Sequence, residues 1–228
     1  MDWCLRDRVK RRLGIPVSFG DFGNTTPLST QFGVDRGTPI DRYYIENFLA
    51  GHARDISGRT LEIGDSTYTA RFGGSRTTRR DVLHVHNRNP SATIVGDLSR
   101  RGTLPVGVFD CQVITQTLHL IYDMRSAVEE LHSALRKGGV LLLTSPGISQ
   151  IARDEWGGEN WLWSITGASA RRLFGDVFGA SNVTVRCHGN VFAATAFLQG
   201  LALEEVPKAK LDVVDEAYPV IVTVHARK

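Results

Sequence analysis

Cysteine is scarce, with three in 228 residues. Cys4, Cys111 and Cys187 are odd in number and far apart, which speaks against a disulfide framework or a cysteine-built metal centre. Cys111 lies in an apolar strand pattern and reads as a small core residue rather than a ligand or nucleophile. No apolar run approaches the roughly 20 residues of a membrane span, and Met1-Asp2-Trp3-Cys4-Leu5-Arg6 leads into no signal-type apolar core. These absences predict a soluble, cytoplasmic protein without a membrane partner. Internal repeats and low-complexity tracts are also missing. Neither charge sign dominates: 27 Lys and Arg face 24 Asp and Glu, a net charge of +3, which permits nucleic acid without demanding it. Arg6, Arg8, Lys10, Arg11 and Arg12 form one basic cluster and Arg76, Arg79 and Arg80 another. Both read as solvated surface.

What is present suffices for one α/β domain, since 42% of the residues are hydrophobic in a chain of single-domain length. A short basic helix over 1–13 stops at Gly14 and Pro16. Residues 17–37 show no sustained period and carry Phe19, Phe22 and Phe32, as expected of a loop pinned by aromatics or of a lid. Thr38-Pro39-Ile40-Asp41 announces a helix that buries Ile40, Tyr44 and Phe48 and leaves Arg42, Tyr43 and Glu46 on other faces. Strands are expected around Thr60–Ile63, Thr78–Val85, Ala92–Val95, Phe109–Thr115 and Val140–Thr144. An amphipathic helix over Asp123–Arg136 ends at Lys137-Gly138-Gly139. A helix at Ala168–Phe178 follows, then strands at Asn182–Cys187 and Pro219–Ala226 with a helix from about Val191 to Glu205 between them. Alternating strands and helices predict a mostly parallel sheet covered on both faces.

The chain is organised around Thr60-Leu61-Glu62-Ile63-Gly64-Asp65-Ser66-Thr67-Tyr68, a buried strand ending at a glycine and followed by helix-starting polar residues. Ile94-Val95-Gly96-Asp97-Leu98, Phe109–His119 and Leu135–Leu143 come after it. In that order, over residues 58–146, these segments resemble the motifs of class I S-adenosylmethionine (SAM)-dependent methyltransferases. The resemblance implies a Rossmann-like seven-stranded sheet with an antiparallel last strand, an N-terminal cap over 1–57 and a SAM-binding core over 58–228. It further implies SAM as cofactor and S-adenosylhomocysteine as product. The stretch Phe32–Glu46 is similar to a bacterial methyltransferase subgroup found beside glycosyltransferases, which implies a small-molecule or sugar-like acceptor, methylated at oxygen, in natural-product or glycan biosynthesis.

Within that frame, Glu62 and Gly64 match the first motif. Asp81, 19 residues after Glu62, is the candidate for the ribose diol, and Asp97 with the Leu98 backbone for adenine. Thr115 and Gln116 match the fourth motif beside the methionine end. The helix before the first strand implies a SAM contact for Tyr43 or Tyr44. One departure is plain: the loop has no second glycine, so Asp65 or Tyr68 is expected to meet the amino acid end. His119 is the candidate general base, against a histidine packed in the core. His188 and Glu46 are weaker candidates. The missing glycine also raises a second reading, a non-catalytic methyltransferase-like partner module, and the basic clusters a third, a nucleic-acid methyltransferase.

Other patterns lead elsewhere. Thr166-Gly167-Ala168-Ser169 echoes a dehydrogenase loop but follows no apolar strand. His84 and His86 share a strand face but lack a further ligand. Trp156, Trp161 and Trp163 serve either to stack on an acceptor or to anchor the loop after the fifth strand.

Overall fold

In the computed structural model the described residues are 12–14, 18, 20–154 and 158–228. The expected basic helix therefore lies almost wholly outside the described residues, as do Phe19 and Trp156. Seven strands form one sheet: β1 (Gly58–Ile63), β2 (Thr77–His84), β3 (Ile94–Val95), β4 (Phe109–Thr115), β5 (Leu135–Pro146), β6 (Val183–His188) and β7 (Ile221–Arg227). Their spatial order is β3-β2-β1-β4-β5-β7-β6. β7 runs antiparallel to both of its neighbours, and the other recorded pairings are parallel. This is the Rossmann-like fold with an antiparallel last strand that the motifs implied.

The helices are α1 (Ile40–Gly51), α2 (Met124–Ala134), α3 (Gly167–Phe178), α4 (Val191–Leu198) and α5 (Lys208–Leu211). Alternation along the strands sends side chains to two separate cores. Ile114, Leu141 and Leu143 pack with Ala127, Val128 and Leu131 of α2 and Ala170 and Phe174 of α3. Their sequence neighbours Val113, Val140 and Leu142 face the other way, against Ile45, Phe48 and Leu49 of α1. A third cluster joins Ile40 and Tyr44 of α1 to α4, α5 and Ile221. Gly33, at φ 86°, brings its Cα so close to Gly200 and Leu201 that a Cβ there would lie 2.9 Å from their carbonyl oxygens. This contact seats the N-terminal loop on the α4 end.

Several local expectations change. Thr38 does not cap α1: its N–H and hydroxyl both donate to Glu204, at 2.9 and 2.7 Å, and no side chain caps the helix. The helix expected to run to Glu205 stops at Leu198, because Gly200 turns at φ 70°. Leu135 joins β5 directly after α2, so Gly138-Gly139 lies within the strand's span rather than ending the helix. The Thr166–Ser169 stretch is a capping box that starts α3, with reciprocal side-chain to backbone bonds of 3.1 Å.

Candidate functional site

The order of the sheet reverses between β1 and β4, and the crevice beyond the carboxyl ends of the strands at such a point is where open α/β sheets bind ligands. A cleft of about 1130 Å³ opens there, lined by Ile63 and Gly64 after β1, His84 at the end of β2, Gly96, Asp97 and Leu98 after β3, Thr115 and Gln116 at β4, and Pro146 of β5. Its roof comes from Phe32, Asp41, Arg42, Trp161 and Phe197.

The turn after β1 is built by Glu62. Its carboxylate is buried and accepts the backbone N–H groups of Tyr68 at 3.0 Å and Thr69 at 2.8 Å. Burial raises its pKa against the pull of those two amides. Both oxygens are therefore engaged in shaping the loop. Gly64 turns at φ 82° with open space where a Cβ would sit, and its carbonyl accepts from Asn89 Nδ2 at 2.5 Å. Asp65 is exposed at the cleft and accepts from the Thr67 N–H at 2.7 Å. The loop without a second glycine thus closes as an aspartate-capped turn leading into a π-type turn, Thr69–Gly73.

Asp81 is not brought to the cleft. β2 extends to His84, so Asp81 sits three residues before its end, paired with Leu61 and fully buried. Arg59 Nε at 2.7 Å, Arg79 at 2.9 Å and the Thr93 hydroxyl at 3.0 Å hold its carboxylate. Burial opposes its charge, but these donors outweigh burial and lower its pKa. His84 occupies the position where a ribose-binding carboxylate was expected. Tyr44 also lies outside the cleft lining; its hydroxyl donates to the Leu211 carbonyl at 3.1 Å in the cluster beneath α5. Tyr68 accepts from Arg42 at 3.1 Å and packs on Phe72, behind the lining.

The residues of α1 that do reach the cleft are Asp41 and Arg42. Asp41 is buried with Oδ1 lacking a hydrogen-bond partner, and burial raises its pKa. Burial also works against the Arg42 charge, but Asp41 and Tyr68 more than offset it and raise its pKa. A carboxylate in the first turn was readable as helix-start chemistry; nothing in the sequence said that it would be buried with one oxygen unpartnered.

Asp97 keeps its carboxylate ionised through the Ser99 hydroxyl at 2.7 Å and N–H at 2.9 Å, which lower its pKa. Leu98 is buried beside it. Gln116 adopts a left-handed φ of 47° at the mouth of β4, a conformation that costs a non-glycine residue about 1–2 kcal/mol. His119 is 2% exposed, with Nδ1 unpartnered. Burial alone lowers its pKa to about 4, so the ring is neutral at physiological pH. It packs on Trp161 at 4.3 Å between ring centroids, and Trp161 stacks on Phe32 at 6.1 Å. Trp163 takes the anchoring role instead, donating from Nε1 to the Ile121 carbonyl at 3.0 Å. His188 bonds Thr223 at 3.0 Å and is absent from the cleft lining, as is Glu46, which pairs with Arg71 at 2.8 Å.

A family model described as a methyltransferase domain matches residues 69–143. Among solved structures, a SAM-dependent methyltransferase from Archaeoglobus fulgidus matches with a TM-score of 0.55 at 10% identity, covering 82% of this chain and 94% of that one. The cyclase SpnF matches with a TM-score of 0.54 at 13% identity, over 98% and 93% of the two chains. A phosphoethanolamine N-methyltransferase 2 from Haemonchus contortus, in complex with phosphomonomethylethanolamine and S-adenosylhomocysteine, matches with a TM-score of 0.52 at 13% identity, over 88% and 60%. No curated protein sequence matches the chain significantly. Structural likeness at such low identity shows the fold, and the fold hosts more than one chemistry.

Proposed function

We propose that this chain, a class I SAM-dependent methyltransferase by its family domain and its fold, methylates a small-molecule acceptor at a hydroxyl oxygen. The observation that carries the reading is the charge and shape of the cleft at the switch point. Asp41, Asp65, Asp97 and Asp154 line it, with Arg42 the single arginine or lysine among the described residues of its lining. A chain of net positive charge thereby presents a mostly acidic pocket, which suits a cationic ligand. The donor set fits SAM group by group. Asp41 Oδ1 is a buried acceptor awaiting a donor such as an ammonium group, Arg42 suits a carboxylate, and Asp97 with the Leu98 backbone suits an adenine edge. Gly64, Asp65, Thr115 and Gln116 surround the space between them. Glu62 and Tyr68 support this set from behind, and Asp81 supports the sheet. When bound, SAM supplies an electrophilic methyl group.

The chain's own contribution is positioning. Phe32, Trp161 and Phe197 form an aromatic wall, with Phe32 and Phe197 centroids 5.9 Å apart, against which a planar or sugar-like acceptor can stack. Neutral His119 carries a buried, unpartnered Nδ1 beside that wall. With its pKa near 4 it is a weak base, suited to orienting an acceptor hydroxyl and taking its proton late, after the oxygen has become acidic. Proximity and alignment supply most of the rate in such a site. The test is transfer of isotopically labelled methyl from SAM to phenolic, sugar and amine acceptors. Labelled ether products from the hydroxyl acceptors are expected; transfer to amines alone would reject the oxygen assignment. SAM binding without transfer to any acceptor would favour the partner-module reading, which the missing loop glycine and the histidine at the β2 end motivate.

A further inference from the structure

Away from the cleft, three potential ligands converge where the C-terminal end of α1 meets β7. His52 follows α1, Asp55 precedes β1, and His225 lies on β7. We propose that His52, Asp55 and His225 form a binding site for a tetrahedral divalent transition metal, with Zn²⁺ the best match by ligand type. His52 Nδ1 and His225 Nε2 both point at Asp55 Oδ2, at 3.5 and 3.1 Å. Ligands about 2.0–2.1 Å from a tetrahedral zinc stand roughly 3.3 Å from one another, so two of the three edges of the ligand triangle are already near that length. The third is within 4.8 Å. Among the described residues this is the one group of three or more such side chains arranged in this way.

The surroundings select one carboxylate oxygen. Arg227 donates to Asp55 Oδ1 at 3.2 Å and to the Gly138 carbonyl at 3.0 Å, which leaves Oδ2 turned toward the two rings. An outer partner that orients a ligand in this way is typical of built metal sites. The rings stack at 4.6 Å, and Phe48 packs edge-on against His52 at 5.0 Å. Arg186 and Arg227 repel a cation, so the site suits a metal that bonds strongly to imidazole rather than a hard ion held by charge. On loading, the proton of each neutral ring moves to its other nitrogen, and a protonated ring releases its proton to solvent. A fourth position is left for water. The metal would staple the C-terminal end of α1, the helix whose first turn carries Asp41 and Arg42, to the sheet.

The experiment is titration of chelator-treated full-length protein with ZnCl₂ by calorimetry, with Co²⁺ absorption as the report on geometry. One metal per chain, a tetrahedral Co²⁺ spectrum and a raised Tm are expected. His52→Gln and His225→Gln should each weaken binding by about 10–100-fold or more, judged against what disturbing a metal's outer shell costs. Binding should also weaken in acid, because protons compete with the metal for the imidazole nitrogens. Absence of saturable binding, or affinity unchanged in both variants, overturns the proposal. His52 is partly exposed at a helix end, so its variant decides the matter if the His225 variant does not fold.

Discussion

Lowering the pH from about 7.5 to about 5 should remove roughly 2 kcal/mol of folding stability through His119 alone. An imidazole with a pKa of 6.5 when free is held at about 4 in the fold because burial penalises its charge and nothing bonds to Nδ1. As pH falls below 6.5 the unfolded chain takes up a proton that the folded chain refuses. The stability contributed by the neutral ring is thus fully present above pH 6.5 and is lost on the way down to pH 4. The whole difference is about 3 kcal/mol, and about 2 kcal/mol of it has gone by about pH 5. Other groups also titrate: burial lowers the pKa values of His52, His132 and His188 and raises that of Glu62. The comparison is therefore urea unfolding of wild type and His119→Leu at both pH values, in which the shared groups cancel. Wild type should lose about 2 kcal/mol more than the variant over this range. Equal losses would show that His119 is not a buried neutral imidazole, and the orienting role assigned to it would fall with that.

Gln116→Gly should stabilise the fold by roughly 1 kcal/mol in chemical unfolding, by relieving the left-handed φ, while weakening SAM in calorimetry; stabilisation with unchanged affinity would reduce Gln116 to a strained turn. Asp41→Asn and Arg42→Gln should each weaken SAM binding by about tenfold, since a charge-assisted hydrogen bond contributes about 1.5–3 kcal/mol; unchanged affinity in both would remove α1 from the cofactor site. Asp97→Ala should cost about tenfold in SAM affinity with Tm nearly unchanged, and full retention of binding would sink the adenine assignment. Asp81→Ala should do the reverse, costing roughly 3 kcal/mol of stability by leaving Arg59 and Arg79 without their carboxylate; a folded variant of normal stability with lost SAM affinity would restore Asp81 to the ribose.

The sheet was legible because its signals are local. Apolar runs mark β1, β3 and β4 to within a residue or two, the first two closed by glycine, and alternation within them separates the two cores. Asp81 was misplaced by counting residues: the 19-residue spacing lands inside a strand that was expected to run to Val85 and ends at His84, so the cleft position lies three residues further along. Tyr44 kept its core spacing and its core role, whereas Asp41 and Arg42 reached the cleft. Which side of a helix meets a cavity depends on how the helix docks, and α1 docks through Ile45, Phe48 and Leu49 against strands distant in sequence. The Glu62 bonds to the Tyr68 and Thr69 amides were hidden for a similar reason. They exist only once the loop has closed without its second glycine.

The central claim is that the acidic cleft beyond β1 and β4 holds SAM. Isothermal titration of the purified protein with SAM and with S-adenosylhomocysteine tests it without knowledge of the acceptor. The account predicts saturable one-to-one binding of both ligands at micromolar concentrations, weakened in Asp97→Ala and in Arg42→Gln. Absence of binding of either ligand at millimolar concentration, in protein shown to be folded, would contradict it.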